Sequence, residues 1–306
     1  MELILGSFPC SLCGGTSHRE RYPASRVRDV PSLPDYRCTS AGYGVHFRVV
    51  QCSICSFVYC TPRPVESQIA ALYTEAEDDV YVRETAGRDA TFRRRLRALL
   101  THHPPPARLL DVGAHVGAFV TAARAAGYDA EGLEPSDWAV RVAAASGVPV
   151  TKGSLATGLF PGDSFDIVTM WDVIEHLHDP RQGLSLVHEM TRPGGMLVVH
   201  TMDIGSVAAR CLGRRWPWLM EMHLHYFSRK TLVAMLEASG FDVLSVRSEA
   251  RFISIEYFAS RIVALGARGL GSALLRIARR TGIDRTLIPI SLGDLVTAHA
   301  VKRRTP

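Results

Sequence analysis

Three groups of residues in this sequence have the types and spacing to do chemistry. The first is a pair of Cys-x2-Cys knuckles, Cys10-Ser-Leu-Cys13 and Cys52-Ser-Ile-Cys55. Four thiolates in two such pairs make a tetrahedral Zn²⁺ site that leaves no open position, so it is structural rather than catalytic. The second is the bend in Leu109-Leu-Asp-Val-Gly-Ala-His-Val-Gly117. Gly113 and Gly117 let the backbone turn tightly and come close to a ligand. A carboxylate follows: Glu134 stands 21 residues past Gly113, close to the ~20-residue offset at which an acidic side chain meets ribose hydroxyls. The third group is His176, His223 and His225. Imidazole exchanges a proton near neutral pH, which suits a general base.

These groups need particular elements behind them. Leu109 to Val112 reads as a short buried strand with Asp111 near its end, and the Ala- and Arg-rich stretch after Gly117 reads as a helix. Strand, glycine turn and helix form the nucleotide-binding corner of a doubly wound α/β sheet, with the ligand at the strand's carboxyl end. Tyr128 to Leu133 is the next strand, Asp137 to Ser146 a helix, and Val148 to Val150 a third short strand. Phe165 to Met170 is a fourth strand, which brings Trp171 and Asp172 beside the ligand crevice. A turn at Pro193-Gly-Gly195 precedes a fifth strand, Met196 to His200. Ser228 is suited to cap a helix carrying Leu232, Met235 and Leu236 up to Gly240. Phe241 to Val246 and Leu292 to Val301 complete the strands.

Outside this core, residues 1–62 are rich in Pro, Gly and Cys, with Val45 to Val50 delivering the second knuckle. His18 and His46 are fallback ligands, and Cys38, Cys60 and Cys211 lack partner spacing. Residues 63–105 read as helices, with Tyr73 and Tyr81 as lid candidates and Arg93-Arg-Arg95 with Arg97 as a solvated basic face. His103-Pro-Pro-Pro106 marks the boundary to a core of residues 106–250, since proline runs cannot continue a helix. Residues 204–227 read as a loop whose Trp216 and Trp218 suit an aromatic substrate wall or a packing cluster. Residues 251–306 carry an amphipathic helical insertion, with Arg261, Arg268, Arg276, Arg279 and Arg280, and the closing strand. Such an insertion serves as a lid, a dimer face or a peripheral membrane contact.

A chain of 306 residues, 47% hydrophobic, has ample material for a core plus an appendage. The net charge of +5 is spread out, and the basic stripe with interleaved aromatics that nucleic acid needs is missing. The sequence has no apolar run of the ~18 residues a membrane span requires and opens on no secretion signal. The expectation is a cytoplasmic protein whose seven cysteines are reduced or metal-bound.

The segment from Asp111 to Gly117 resembles the first motif of the class I S-adenosylmethionine-dependent methyltransferases, Asp-x-Gly-x-Gly-x-Gly, with His115 in place of the middle glycine. The nicotinamide fingerprint Gly-x-Gly-x-x-Gly is not met, because Gly113, His115 and Ala118 occupy its three positions. Asp172-Val-Ile-Glu-His-Leu-His-Asp-Pro180 is similar to the Asp-x-x-Glu-His-x-x-x-Pro segment of ubiquinone-type O-methyltransferases. Val50 to Pro64 resembles the zinc-ribbon front end of a bacterial group of methyltransferases associated with glycan and natural-product pathways.

The resemblance implies a Rossmann-like seven-stranded methyltransferase sheet with helices on both faces, a closing antiparallel strand, and a small N-terminal zinc-binding domain. It implies S-adenosylmethionine held by Asp111, Gly113, Ala114, His115, Gly117, Glu134, Pro135, Ser154, Leu155, Trp171 and Asp172. It also implies a small-molecule acceptor, methylated on a sugar or natural-product hydroxyl, and raises a divalent metal on Asp172, Glu175 and His176. A sugar C-methyltransferase and a non-catalytic zinc-ribbon scaffold are the competing readings.

Overall fold

The computed structural model describes residues 3–25, 36–156 and 158–304. The central element is a seven-stranded sheet with strands β6 (Arg108–Val112), β7 (Asp129–Glu134), β8 (Val150–Lys152), β9 (Phe165–Trp171), β10 (Thr191–Met202), β12 (Phe241–Ser248) and β15 (Leu295–Lys302), in the order β12-β15-β10-β9-β6-β7-β8. The pairs among β10, β9, β6, β7 and β8 are parallel. Strand β15 runs antiparallel between β10 and β12. The strand order reverses at β6, so the loop leaving its carboxyl end opens at the switch point where ligands bind in such sheets.

Side-chain alternation along these strands sends successive residues to opposite faces. Leu110, Val112, Val168, Met170, Leu197 and Val199 pack on one face against α6 (Pro180–Met190) and α8 (Arg229–Ala238). Leu109, Ile167 and Val198 pack on the other against α3 (Thr85–His102) and α4 (Ala118–Ala125). The expected α/β fold with helices on both faces is therefore the observed one.

The N-terminal residues form β2 (His18–Tyr22), β3 (Val49–Cys52) and β4 (Val58–Cys60), with β1 (Leu5–Gly6) paired to β5 (Arg63–Pro64). This small sheet is not self-contained. Its fourth strand is β11 (His225–Tyr226), which comes from the core and pairs antiparallel with β4. The N-terminal module is thus joined to the core through backbone hydrogen bonds and through the continuous apolar cluster of Phe57, Tyr59 and Phe227. Helices α1 (Glu66–Thr74) and α2 (Asp79–Arg83) cross from the module to α3.

Several local expectations change. Residues 204–227 hold α7 (Val207–Leu212), a 3₁₀ turn over Gly213–Arg215 and strand β11 rather than a plain loop. Trp216 is 1% exposed, packed in the core and not a substrate wall. Its indole N–H donates to Asp294 Oδ2 at 2.9 Å, and that of Trp218 donates to the same oxygen at 3.0 Å. Arg95 leaves the basic face and is buried, donating to His200 Nε2 at 2.7 Å and pairing with Glu249. A long guanidinium beside a helix reads as solvated in sequence; only the position of β10 and β12 shows it turned inward. The insertion begins with strand β13 (Arg251–Ser254), paired with β14 (Leu287–Ile290), and these bracket the helical hairpin of α9 (Ile255–Ala264) and α10 (Arg268–Thr281). No helix among the described residues is long and apolar enough to cross a membrane.

Asp294 is 2% exposed and is the shared acceptor for two indoles. Removing a buried acceptor leaves its donors unpaired, at about 1–3 kcal/mol each. Asp294→Ala is expected to lower unfolding free energy by about 2–4 kcal/mol, measured by urea denaturation, and Asp294→Asn by markedly less. Equal losses for the two variants would contradict the acceptor role.

Candidate functional site

A cleft of about 250 Å³ opens at the carboxyl ends of β6, β7 and β9. Its floor is the glycine bend. Gly113 and Gly117 have φ of +72° and +76°, in the left-handed region. A Cβ at Gly113 would lie 2.5 Å from Val173 Cγ2, and one at Gly117 would lie 2.5 Å from Val148 Cγ1. Both conformation and space therefore require glycine. His115 takes the same region with φ of +52°, a conformation that histidine tolerates better than most side chains. It fills the middle position without unbending the loop.

Glu134 holds the bend in place. Its Oε2 accepts from the backbone N–H of His115 at 2.8 Å, and its Oε1 from that of Ser136 at 2.9 Å. Burial pushes its pKa up, and these two backbone donors oppose the rise. Asp111 works beneath the loop. It is 2% exposed and accepts from Thr169 Oγ1 at 2.7 Å. Burial raises its pKa to about 8 against the pull of that bond. Asp111 is thus a structural pin between β6 and β9.

Of the residues expected at a cofactor, Gly113, His115, Glu134, Pro135, Ser154, Leu155 and Asp172 line the cleft. Asp111, Ala114, Gly117 and Trp171 do not. Trp171 is turned into the core, with its ring 5.0 Å from that of Phe119 and under the Arg95 guanidinium at 4.6 Å. Asp172, with φ of +56°, pairs with Arg251 at 3.5 Å and His200 at 3.7 Å. Burial works to raise its pKa, but Arg251, then His200 and Arg95, hold it down at about 2. The wall of the cleft therefore carries a carboxylate that is paired with cations.

The roof comes from the N-terminal module and the crossing helices. Tyr36, Cys38, Ile69, Tyr73 and Asp78 face the cleft. Asp78 accepts from the backbone N–H groups of Thr39 at 2.9 Å and Tyr81 at 3.0 Å, joining the module to α2. Ser136 Oγ donates to Ala76 O at 2.8 Å, joining the roof to the end of β7. Tyr73 borders the cleft, whereas Tyr81 packs on the His115 ring with centroids 3.8 Å apart. Sequence reasoning missed Tyr36, Cys38 and Asp78. Their approach depends on a long-range fold-back, and no local spacing signals it.

Two of the three histidines meet at one end of the cleft. His176 lines it, with Nδ1 2.9 Å from Met222 O and 2.8 Å from Tyr73 Oη. His223 lies behind, its ring centroid 4.9 Å from that of His176 and its Nδ1 2.7 Å from Trp218 O. Facing a carbonyl, His223 Nδ1 carries the proton and Nε2 keeps its lone pair. Burial lowers the pKa of both, that of His223 to about 3 with the neighbouring His176 adding to the effect. His225 is elsewhere: it is fully buried in β11, stacked on Phe57 at 5.7 Å, and does not line the cleft. Glu175, His176 and His223 bring ligand atoms within 4.8 Å of one another, whereas Asp172 is held by its cations instead. Glu175 is fully buried, accepts from Thr201 Oγ1 at 2.9 Å, and is pushed up to about 8 by burial and then by Asp172.

The four knuckle cysteines converge as a separate site. All four sulfurs lie within 4.8 Å of one another, with Cys10–Cys55 and Cys13–Cys52 each at 3.5 Å. Tetrahedral Zn–S bonds of ~2.3 Å set sulfurs about 3.8 Å apart, so the arrangement fits that ion. Burial opposes ionisation of Cys52, yet backbone donors at Cys55 and Ile54 and the contact with Cys13 bring its thiol down to about 7.

Residues 84–246 match the family profile described as "Methyltransferase domain". Among curated proteins, the chain is 33% identical over 142 residues to a ubiquinone biosynthesis O-methyltransferase of Rhizobium etli, covering 42% of this chain and 53% of that protein. It is 34% identical over 131 residues to a protein of the same name from Sinorhizobium medicae, covering 40% and 48%. The chain spans about half the length of the curated relatives it matches. A solved relative in fold comes from the complex between the Haloferax volcanii Trm112 methyltransferase activator and a methyltransferase, with a TM-score of 0.50, 15% identity, and coverage of 72% of this chain and 94% of that one. With the sheet order, the pinned glycine bend and the carboxylate at the end of β7, the match across more than half of the sequence makes this chain a member of the S-adenosylmethionine-dependent methyltransferase family.

Proposed function

We propose that this chain methylates a hydroxyl of a small-molecule acceptor, a sugar, glycan precursor or natural product, with His176 as general base. The observation that carries the reading is His176, backed by His223, lining the same cleft as the glycine bend. Bound S-adenosylmethionine supplies a methyl group on a sulfonium, which is already a strong electrophile. The protein's task is to align the acceptor and remove its proton. Gly113 and His115 would cradle the cofactor, Glu134 would accept from the ribose hydroxyls with its remaining lone pairs, and Ser154 and Leu155 would flank the base.

His176 Nδ1 is occupied by Met222 O and Tyr73 Oη, so Nε2 is the atom free to take the acceptor proton. His223 holds its neighbour's position and keeps a second neutral imidazole beside it. Oxygen as the acceptor atom follows the names of the curated relatives. The Cys10, Cys13, Cys52 and Cys55 cluster is proposed to hold a structural Zn²⁺ that stiffens β3, β4 and, through β11, the segment carrying His223.

His176→Gln is expected to lower turnover by about 10²-fold or more, while calorimetry finds cofactor affinity unchanged within severalfold. Near-normal turnover would remove His176 from the role. Since burial lowers both imidazole pKa values, protonation of the base is confined to pH below the ordinary 6.5. The kcat/KM profile should therefore be level from about pH 7 to about pH 9; a tenfold rise across that window would contradict a neutral buried base. Cys52→Ser should lose its equivalent of zinc by mass spectrometry and melt lower by about 5 °C or more. Wild-type protein purified without stoichiometric zinc would refute the structural site.

A further inference from the structure

We infer that Cys38, Asp78 and His115 form a second divalent-cation site, for a thiophilic ion such as Zn²⁺, at the mouth of the cleft, and that this ion and the cofactor exclude each other. The three residues come from three separate stretches: the roof of the N-terminal module, the cap of α2 and the glycine bend. Their ligand atoms nonetheless lie within 4.8 Å of one another, and all three line the cleft. One thiolate, one imidazole and one carboxylate are a donor set that zinc accepts, and three protein ligands leave its fourth position open.

Each donor is already oriented. Asp78 is buried and held by the Thr39 and Tyr81 backbone N–H groups and by the Thr39 hydroxyl; among the described residues its Oδ2 accepts from the Thr39 N–H alone, leaving a lone pair. The same bond to Thr39 places the adjacent Cys38. The His115 ring lies between Tyr81 and Trp138, with centroids 3.8 and 5.7 Å away. Among the described residues, His115 Nδ1 is buried with no hydrogen-bond partner, a polar atom that a coordinated ion would satisfy. Asp78, Glu134 and Asp172 lie in the surroundings of Cys38 together with Arg88, and Arg37 also lines the cleft.

An ion held here would tie the roof to the bend across the entrance to the cleft. Free thiophilic metal would then act as a competitive inhibitor, at a place remote from the four-cysteine cluster. The exclusion rests on the cofactor occupying this cleft, as proposed above; ion binding itself does not.

The test is titration of the full, zinc-ribbon-loaded protein with Zn²⁺ alone, followed by calorimetry and by competition with a chromophoric chelator. Wild-type protein should take one further equivalent. Cys38→Ser should weaken that equivalent by at least the ~10-fold that follows loss of a metal-site partner, with the ribbon zinc retained by mass spectrometry. Saturating S-adenosylhomocysteine should displace it. Absence of the further equivalent, or equal binding by Cys38→Ser, would overturn the site. Retention of the ion alongside bound S-adenosylhomocysteine would overturn the exclusion. Failure of S-adenosylhomocysteine to bind metal-free protein would instead strike at the cofactor reading.

Discussion

The structure depends on one clamp, the Glu134 carboxylate bonded to the backbone N–H groups of His115 and Ser136. The bend between β6 and α4 passes through three left-handed residues, Gly113, His115 and Gly117. Such a loop has little hydrogen bonding of its own. Gly113 and Ala114 N–H groups reach Leu133 O, and Glu134 takes the next donor in line. The end of β7 therefore templates the loop leaving β6. The carboxylate that shapes the loop also lines the cleft.

The second organising feature is the dependence of each end of the cleft on a distant part of the chain. The histidine end needs Met222 O and Trp218 O, from the segment that β11 anchors to the N-terminal sheet. The roof needs Asp78 to bind Thr39 across the module boundary. The four-cysteine cluster includes Cys52, the last residue of β3, and its sulfurs contact one another, Cys10 with Cys55 and Cys13 with Cys52. Its influence on the site runs through backbone pairing. The pairing of β4 with β11 connects that sheet to the histidine segment.

Much of this was legible in the sequence because it rests on short-range pattern. The apolar runs at Leu109–Val112 and Phe165–Met170, the glycine spacing and the Cys-x2-Cys pairs each report local geometry, and each appeared where expected. What sequence hid was direction and long-range pairing. Trp171 and Asp172 are adjacent, yet one points into the core and the other opens onto the cleft. His223 closes a turn just before β11 whereas His225 lies on that strand, and only His223 comes near His176. Arg95 looked solvated because its partners, His200 and Glu249, lie more than 100 residues away. Asp294, which orders both tryptophans, carried no motif at all.

The central claim is that the carboxylate clamping the bend also grips the cofactor's sugar, and calorimetric titration of S-adenosylmethionine into wild-type and Glu134→Ala protein addresses it most directly. The account predicts one-to-one binding to the wild type and affinity weakened by about tenfold or more in the variant, with the circular dichroism spectrum unchanged. Equal affinity in the two proteins, or no binding to the wild type at millimolar cofactor, would contradict it.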